Sequence, residues 1–196
     1  NAKAFEKGLI ETEPVHLDAL ISFTDKVWRR PLKPTESSGL RALYRKLRRN
    51  DMPHEQALRL TLARVLTAPA FLFKLEAPAP GSEAAPVNAH ELATRLSYFL
   101  WSSTPDAELR ESADSGELLK EDALIAQTRR LLRDPRARRL AIEFACQWLH
   151  LRGFDEHDEK SERKFPEFAD LKAPLYEETI RFFTDLFQND RSILSI

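Results

Sequence analysis

The chain has 196 residues, enough for one large domain or two small ones, each with a real core. Hydrophobic residues make up 42% and charged residues 31%, which predicts a packed interior beneath a heavily charged surface rather than a disordered chain. A net charge of -1 argues against a binder of polyanions or polycations by composition, and the single cysteine, Cys146, excludes an intrachain disulfide.

The charge is unevenly spread. Residues 1–75 carry 14 Lys and Arg against 8 Asp and Glu, whereas residues 151–196 carry 7 against 11. That asymmetry lets the two ends face different partners or attract each other. No apolar run approaches the roughly 20 residues that span a bilayer. The chain opens on Asn1 without a basic-then-apolar leader, and its N-terminus is expected to be a processing or cut boundary within a longer protein.

Apolar residues recur at helical spacing nearly throughout. A first helix is expected from about His16 to Arg30, with Leu17, Leu20, Ile21, Thr24 and Trp28 inward. A second starts from Thr35 as N-cap and buries Leu40, Leu43, Tyr44 and Leu47. Asp51 and Pro53 open a third, with an inner face of Leu58, Leu62, Val65 and Leu66, which stops near Ala68 ahead of Pro69. Residues 76–87, EAPAPGSEAAPV, have the composition of a semi-rigid linker; a long surface loop inside one domain is the alternative. Next come a helix lined by Leu92, Leu96, Phe99 and Leu100, and a short one with Thr104 as N-cap, Pro105 at the first position and Asp106 at the positive end of the dipole. Leu124, Thr128, Leu131 and Leu132 line another. Asp134 and Pro135 restart the chain into a helix burying Leu140, Ala141, Phe144, Ala145, Trp148 and Leu149. A last helix presents Leu175, Thr179, Phe182, Phe183, Leu186 and Phe187. The expectation is an all-α, multi-helix bundle of about seven to nine helices. It divides into helical domains at 1–75 and 88–196 around the Pro/Ala-rich linker 76–87, the second truncated at its C-terminal end.

Chemistry is harder to find. One cysteine cannot supply the C-x-x-C-H attachment of a covalent haem, so no haem c is expected in this chain. The run Asp155-Glu156-His157-Asp158-Glu159 is rich in metal-ligand types, yet it lacks the glycine-punctuated spacing of a calcium loop and reads as a solvated acidic loop; no metal site is assigned. Cys146 and His150 stand four residues apart, within reach on a helix, but a half-buried cysteine beside a helix-end histidine is the commoner case. Glu177 and Glu178 point about 100° apart on a helix, which does not suit paired acid–base work. Glu91 and Arg95 are spaced as a helix-stabilising pair. A site assembled across helices from Glu91, Asp106, Glu178 and His150 leaves no local signature, and no catalytic motif is identifiable.

Six arginines crowd 129–139: Arg129, Arg130, Arg133, Arg136, Arg138 and Arg139. Their forks suit sulfate, phosphate and carboxylate groups, which makes them the candidate anion-binding set; the alternative is a solvated face paired with Glu117, Glu121 or Glu143. No aromatic interleaves with them, which argues against single-stranded nucleic acid. Trp101, Trp148, Phe165 and Phe168 stand at expected helix ends or in a loop, where core packing competes with stacking on a sugar or partner.

Particular runs carry a family resemblance. Arg29-Arg30-Pro31-Leu32 with Ala68-Pro69-Ala70-Phe71-Leu72-Phe73 marks a first domain. Glu91-Leu92-Ala93-Thr94-Arg95-Leu96-Ser97-Tyr98-Phe99-Leu100-Trp101-Ser102-Ser103, with Pro105-Asp106, Asp134-Pro135-Arg136-Ala137, Gln147-Trp148-Leu149, Phe165-Pro166-Glu167-Phe168, Glu178-Thr179 and Asp190-Arg191-Ser192, marks a second. Together they resemble the planctomycete-type, cytochrome-c-associated domains of unknown function, with one departure at Lys33-Pro34-Thr35, where a shorter Leu-Thr join is usual. The resemblance implies a periplasmic or extracellular, modular parent protein that continues past Ile196, with a c-type haem in a neighbouring domain. On that footing Arg95, Trp101, Asp106, Gln147 and Trp148 form the candidate docking set toward other domains of the same polypeptide. Anionic polysaccharide, bound through the arginines and helix-end aromatics, is the alternative partner.

Overall fold

The computed structural model describes residues 2–76, 86–154, 163–192 and 194, with side chains of the first helix described from Thr12 onward. The fold is all-α, with nine α-helices and no strand among the described residues. It divides into two compact units, Asn1–His90 and Glu91–Ile196. The expected linker, 76–87, has residues 77–85 outside the described part, and no described helix is long and apolar enough to cross a membrane.

The first unit holds α1 (Ala2–Val27), α2 (Pro34–Arg49), α3 (His54–Leu66) and the single turn α4 (Pro69–Leu72). α1 begins well before His16, and α2 begins at Pro34 rather than capping on Thr35. One buried cluster joins Leu17, Tyr44 and Ala57; the next joins Leu20, Leu40 and Val65. Moving from the first cluster to the second, residue numbers rise on α1, fall on α2 and rise on α3. The three helices therefore run up, down and up. Thr24 and Thr61 are buried among these apolar residues because each hydroxyl donates to the carbonyl four residues back, Leu20 and Ala57, at 2.8 Å.

Arg29 anchors the end of this bundle. It is buried, takes a left-handed backbone (φ 61°), and spreads its guanidinium over the carbonyls of Val27, Ala70, Phe71 and Phe73 at 2.7–3.3 Å. Those last three are carbonyls of α4 and the residue after it, which a four-residue helix cannot satisfy internally. Beside it, Arg30 makes two 2.8 Å bonds to Glu36, whose carboxylate also accepts from the Lys33 N–H and so caps the start of α2.

The second unit holds α5 (Ala89–Trp101), α6 (Ala107–Asp114), α7 (Glu121–Arg133), α8 (Arg138–Trp148) and α9 (Phe168–Gln188), with short 3-10 turns at Glu117–Leu119 and Pro135–Ala137. Gly116 (φ 76°) supplies the reversal between α6 and the first turn. α8 and α9 pack through Ala141, Ala145, Cys146, Ile180 and Phe183, where the small side chains of α8 allow close approach. The inner face of α5 is not the expected one. It buries Ala93, Thr94, Ser97, Leu100 and Trp101, while Phe99 is 69% exposed. Likewise Asp106, not Thr104, caps α6, accepting from the Leu109 N–H at 3.0 Å.

Helix ends share one device. α2, α8 and α9 close with the N–H two residues past the cap returning to a carbonyl in the last turn: Met52 to Leu47, Leu151 to Cys146, Arg191 to Leu186. The left-handed position belongs to Asp51, His150 and Asp190, and Ser102 takes the same conformation after α5. No glycine is used at any of these.

Acid should act on the first unit through Glu36. The two bonds from Arg30 hold its carboxyl down to about 2 from its ordinary 4.5, against the opposing pull of burial. A carboxyl lowered in the folded state stabilises the fold above its unfolded value and loses that contribution as pH falls through its folded value. Stability should therefore decline between pH 4.5 and about 2, and Glu36→Gln should flatten that limb. An unchanged acid limb in the variant's denaturation curves would show that Arg30 does not hold this carboxylate.

Candidate functional site

The second unit gathers its strongest motif residues around Trp101. The ring closes α5, is only 2% exposed, and donates Nε1 to the Leu131 carbonyl at 2.9 Å. Arg136 lies over its face, with the guanidinium carbon 3.5 Å from the ring centroid; Arg130 stands at 6.0 Å. Both guanidiniums are filled by internal carboxylates. Arg130 takes Asp106 in two bonds of 2.8 and 3.0 Å, and Arg136 takes Asp134 in two of 2.8 Å. Asp106 and Asp134 also accept backbone N–H groups, from Leu109 and Arg136 respectively.

The electrostatics follow from this pairing. Burial pushes the Asp106 carboxyl up, but the bonds from Arg130 and Leu109 and the charges of Arg130 and Arg136 outweigh it and leave it lowered. Arg136 lowers the Asp134 carboxyl. The two cations are met by three carboxylates, Asp106, Asp134 and, at 3.0 Å from Arg130, Glu108. The arrangement ties the end of α5, the start of α6, the end of α7 and the turn before α8, and it occupies the Arg130 guanidinium and one edge of the Arg136 guanidinium.

The sequence-derived sets are thus redistributed. Of the docking set, Trp101 and Asp106 share the same two arginines; Arg95 is exposed on α5, and Gln147 and Trp148 are exposed at the end of α8. Of the arginine set, Arg130, Arg136 and Arg138 are engaged, the last with Glu177 at 2.6 Å. Arg129, Arg133 and Arg139 are exposed and make no ion pair among the described residues. The acidic partners are Asp106, Glu108, Asp134 and Glu177. Two of the expected ones are taken otherwise, Glu117 by Lys120 and Glu143 by Arg152.

Aromatics form a second feature on the same unit. Trp148 is 51% exposed, and Phe144, Leu149 and Phe182 are also exposed. Phe144 lies 5.5 Å from Trp148 by ring centroid, and both rest on the buried Phe183 at 5.9 and 6.1 Å. Phe182 meets Phe183 at 5.5 Å. Half of this ridge is seated in the α8–α9 core and half faces outward. Phe165 is exposed, whereas Phe168 is half-buried against Phe154.

Other candidates resolve simply. The Cys146 thiol is buried and meets the Tyr176 hydroxyl at 3.3 Å. His150 is exposed at the left-handed position after α8. Glu177 is shared by Arg138 and Arg181. No group of three or more His, Cys, Asp or Glu residues able to hold a metal occurs among the described residues, and the run 155–159 lies outside them.

One polar constellation was not anticipated. In the first unit Arg48 donates to Glu13 at 2.7 Å, Glu13 meets the Tyr44 hydroxyl at 3.2 Å, Tyr44 meets His54 Nδ1 at 2.6 Å, and His54 Nε2 meets His16 Nδ1 at 2.9 Å. These residues come from α1, α2 and the first position of α3. Within it only Glu13 with His16 and Tyr44 with Arg48 are local in sequence, at i, i+3 and i, i+4; the other contacts exist only through the fold.

Comparison with known families agrees with two modules of unassigned chemistry. The family model described as PSD4, protein of unknown function (DUF1592), matches residues 87–196, more than half of the chain. The model described as PSD5, protein of unknown function (DUF1595), matches residues 18–76. No curated protein and no solved structure matches the chain.

Asp106→Ala removes a helix cap and leaves Arg130 without its two-bond partner, so it should cost about 3 kcal/mol in chemical denaturation. Asp106→Asn keeps the cap and should cost less than half as much. Equal losses in the two variants would mean that the cap on Leu109 contributes nothing and that the lost charge pairing with Arg130 carries the whole cost.

Proposed function

We propose that this chain, which belongs to the PSD4 family of proteins of unknown function, is a non-catalytic helical docking module of a larger exported protein, set beside a haem-bearing redox domain of the same polypeptide. The observation that carries this reading is the aromatic ridge of Phe144, Trp148, Leu149 and Phe182. A large apolar surface anchored on core rings is the kind of face that a partner buries. The haem itself is placed in the neighbouring domain because this chain lacks the two cysteines of a covalent attachment. A periplasmic or extracellular location follows from c-type haem maturation and is part of the same proposal.

The parent protein, expressed with export and haem-maturation machinery, should show a Soret band that shifts on reduction. In that protein Trp148→Ala should abolish cross-links between this module and the haem domain. Because the indole is half exposed, the module's own melting temperature should change little. A featureless spectrum removes the haem, and cross-links that survive Trp148→Ala remove this face as the docking surface.

A second reading rests on Arg129, Arg133 and Arg139, three exposed guanidiniums with no carboxylate partner among the described residues: contact with an anionic polysaccharide. It predicts retention on a sulfated polymer at low ionic strength that is lost as screening shortens to about 8 Å near physiological salt. Retention should also be lost on replacing the three arginines with alanine. No retention at low salt removes this reading.

A further inference from the structure

The contact between His16 and His54 has a geometry that constrains its protons. The reacting nitrogens are 2.9 Å apart, the ring centroids 5.2 Å apart, and the planes differ by 19°. An imidazole nitrogen lies about 1.2 Å from its ring centre, so two ring radii plus the nitrogen separation account for nearly the whole centroid distance. The rings therefore meet edge to edge in a common plane, with nitrogen aimed at nitrogen, and share one linear hydrogen bond.

The direction of that bond follows from the far end of the chain. Glu13, bound by Arg48 at 2.7 Å, is a carboxylate and only accepts. Tyr44 must therefore donate to Glu13; its hydroxyl is pushed up by burial and by the Glu13 charge, which keeps it protonated. The Tyr44 oxygen then accepts from His54 Nδ1–H, which leaves His54 Nε2 as a lone pair accepting from His16 Nδ1–H. The outward Nε2 of His16 is bare. A first proton added there disturbs no link. A second must go to His54 Nε2, where it sets N–H against N–H across 2.9 Å and two cations side by side.

We propose that His16 and His54 form a pH-sensitive clamp between α1 and α3, closed when the pair carries no added proton or one, and opened by the second. The charged and titratable groups around it are Glu13 on α1 and Tyr44 and Arg48 on α2. Asp18 on α1 is turned to Arg41, and Glu55 on α3 to Arg59. Among the described residues Glu13 is already matched by Arg48, which itself opposes a second positive charge. Leu17, Tyr44 and Ala57 hold the apolar contact beneath the clamp, so opening should loosen the helix pair rather than unfold the chain.

Nitrogen-15 NMR of the histidine-labelled chain at pH 7.5 should find His16 as the Nδ1–H tautomer, the less common form for an exposed histidine. An Nε2–H tautomer at His16 overturns the directed chain. Thermal melting, followed on amide signals of α1 and α3, should place His16→Ala about 4 °C below the native chain at pH 7.5. That gap should narrow as the pH is lowered until both rings are protonated, because the second proton removes the same link from the native chain. A gap that stays constant across the acid series overturns the clamp.

Discussion

In the second unit, the end of α5 and the turn before α8 are tied through one guanidinium. Arg136 lies flat on the buried Trp101 ring while its donors hold Asp134, and it shares with Arg130 the field of Asp106. Remove that plane and two things lose support together, the indole that fills the core and the carboxylate that opens the turn before α8, while the carboxylate that starts α6 keeps its two bonds from Arg130. Short helices make this necessary. α6 has eight residues, and its end groups outnumber the bonds it makes internally, so side chains from elsewhere must complete it.

The first unit meets the same demand with a different arginine. α4 is a single turn that could not persist alone, and Arg29 collects its loose carbonyls from one side while Arg30 and Glu36 fix the start of α2 from the other. The consecutive arginines of the Arg29-Arg30-Pro31-Leu32 run thus act in two separate places. One is buried among carbonyls; the other is half-exposed against a carboxylate. Lysine, with a single nitrogen, would serve neither.

Periodicity made the helical class legible, and most helices lie where apolar spacing and proline placed them. The inner faces were harder to read because the chain packs small residues at close contacts. Ala57, Thr61, Ala93 and Ser97 are buried, while Phe99 and Phe144, which hydrophobicity alone would turn inward, are exposed. A threonine or serine whose hydroxyl returns to its own helix behaves as a small apolar residue, and nothing in its identity announces this. The polar clusters were illegible for another reason. Arg136 and Asp134 are neighbours in sequence, but Trp101, Asp106 and Arg130 reach them only through the fold, as Glu13, Tyr44 and the two histidines do in the first unit. The arginine run is the clearest case: six like charges in a row of text, half of which turn out to have carboxylates waiting for them.

Helix termination in this chain holds a store of unclaimed stability. Asp51, Ser102, His150 and Asp190 sit in a backbone conformation that a side chain disfavours by about 1 kcal/mol relative to glycine, and only Gly116 among the described helix ends uses the residue that fits without strain. A lineage under pressure for a tighter fold has these positions open to it without touching either core. That it keeps side chains there means the ends of α2, α5, α8 and α9 each carry a small backbone strain that the closing hydrogen bonds and the surrounding packing must offset.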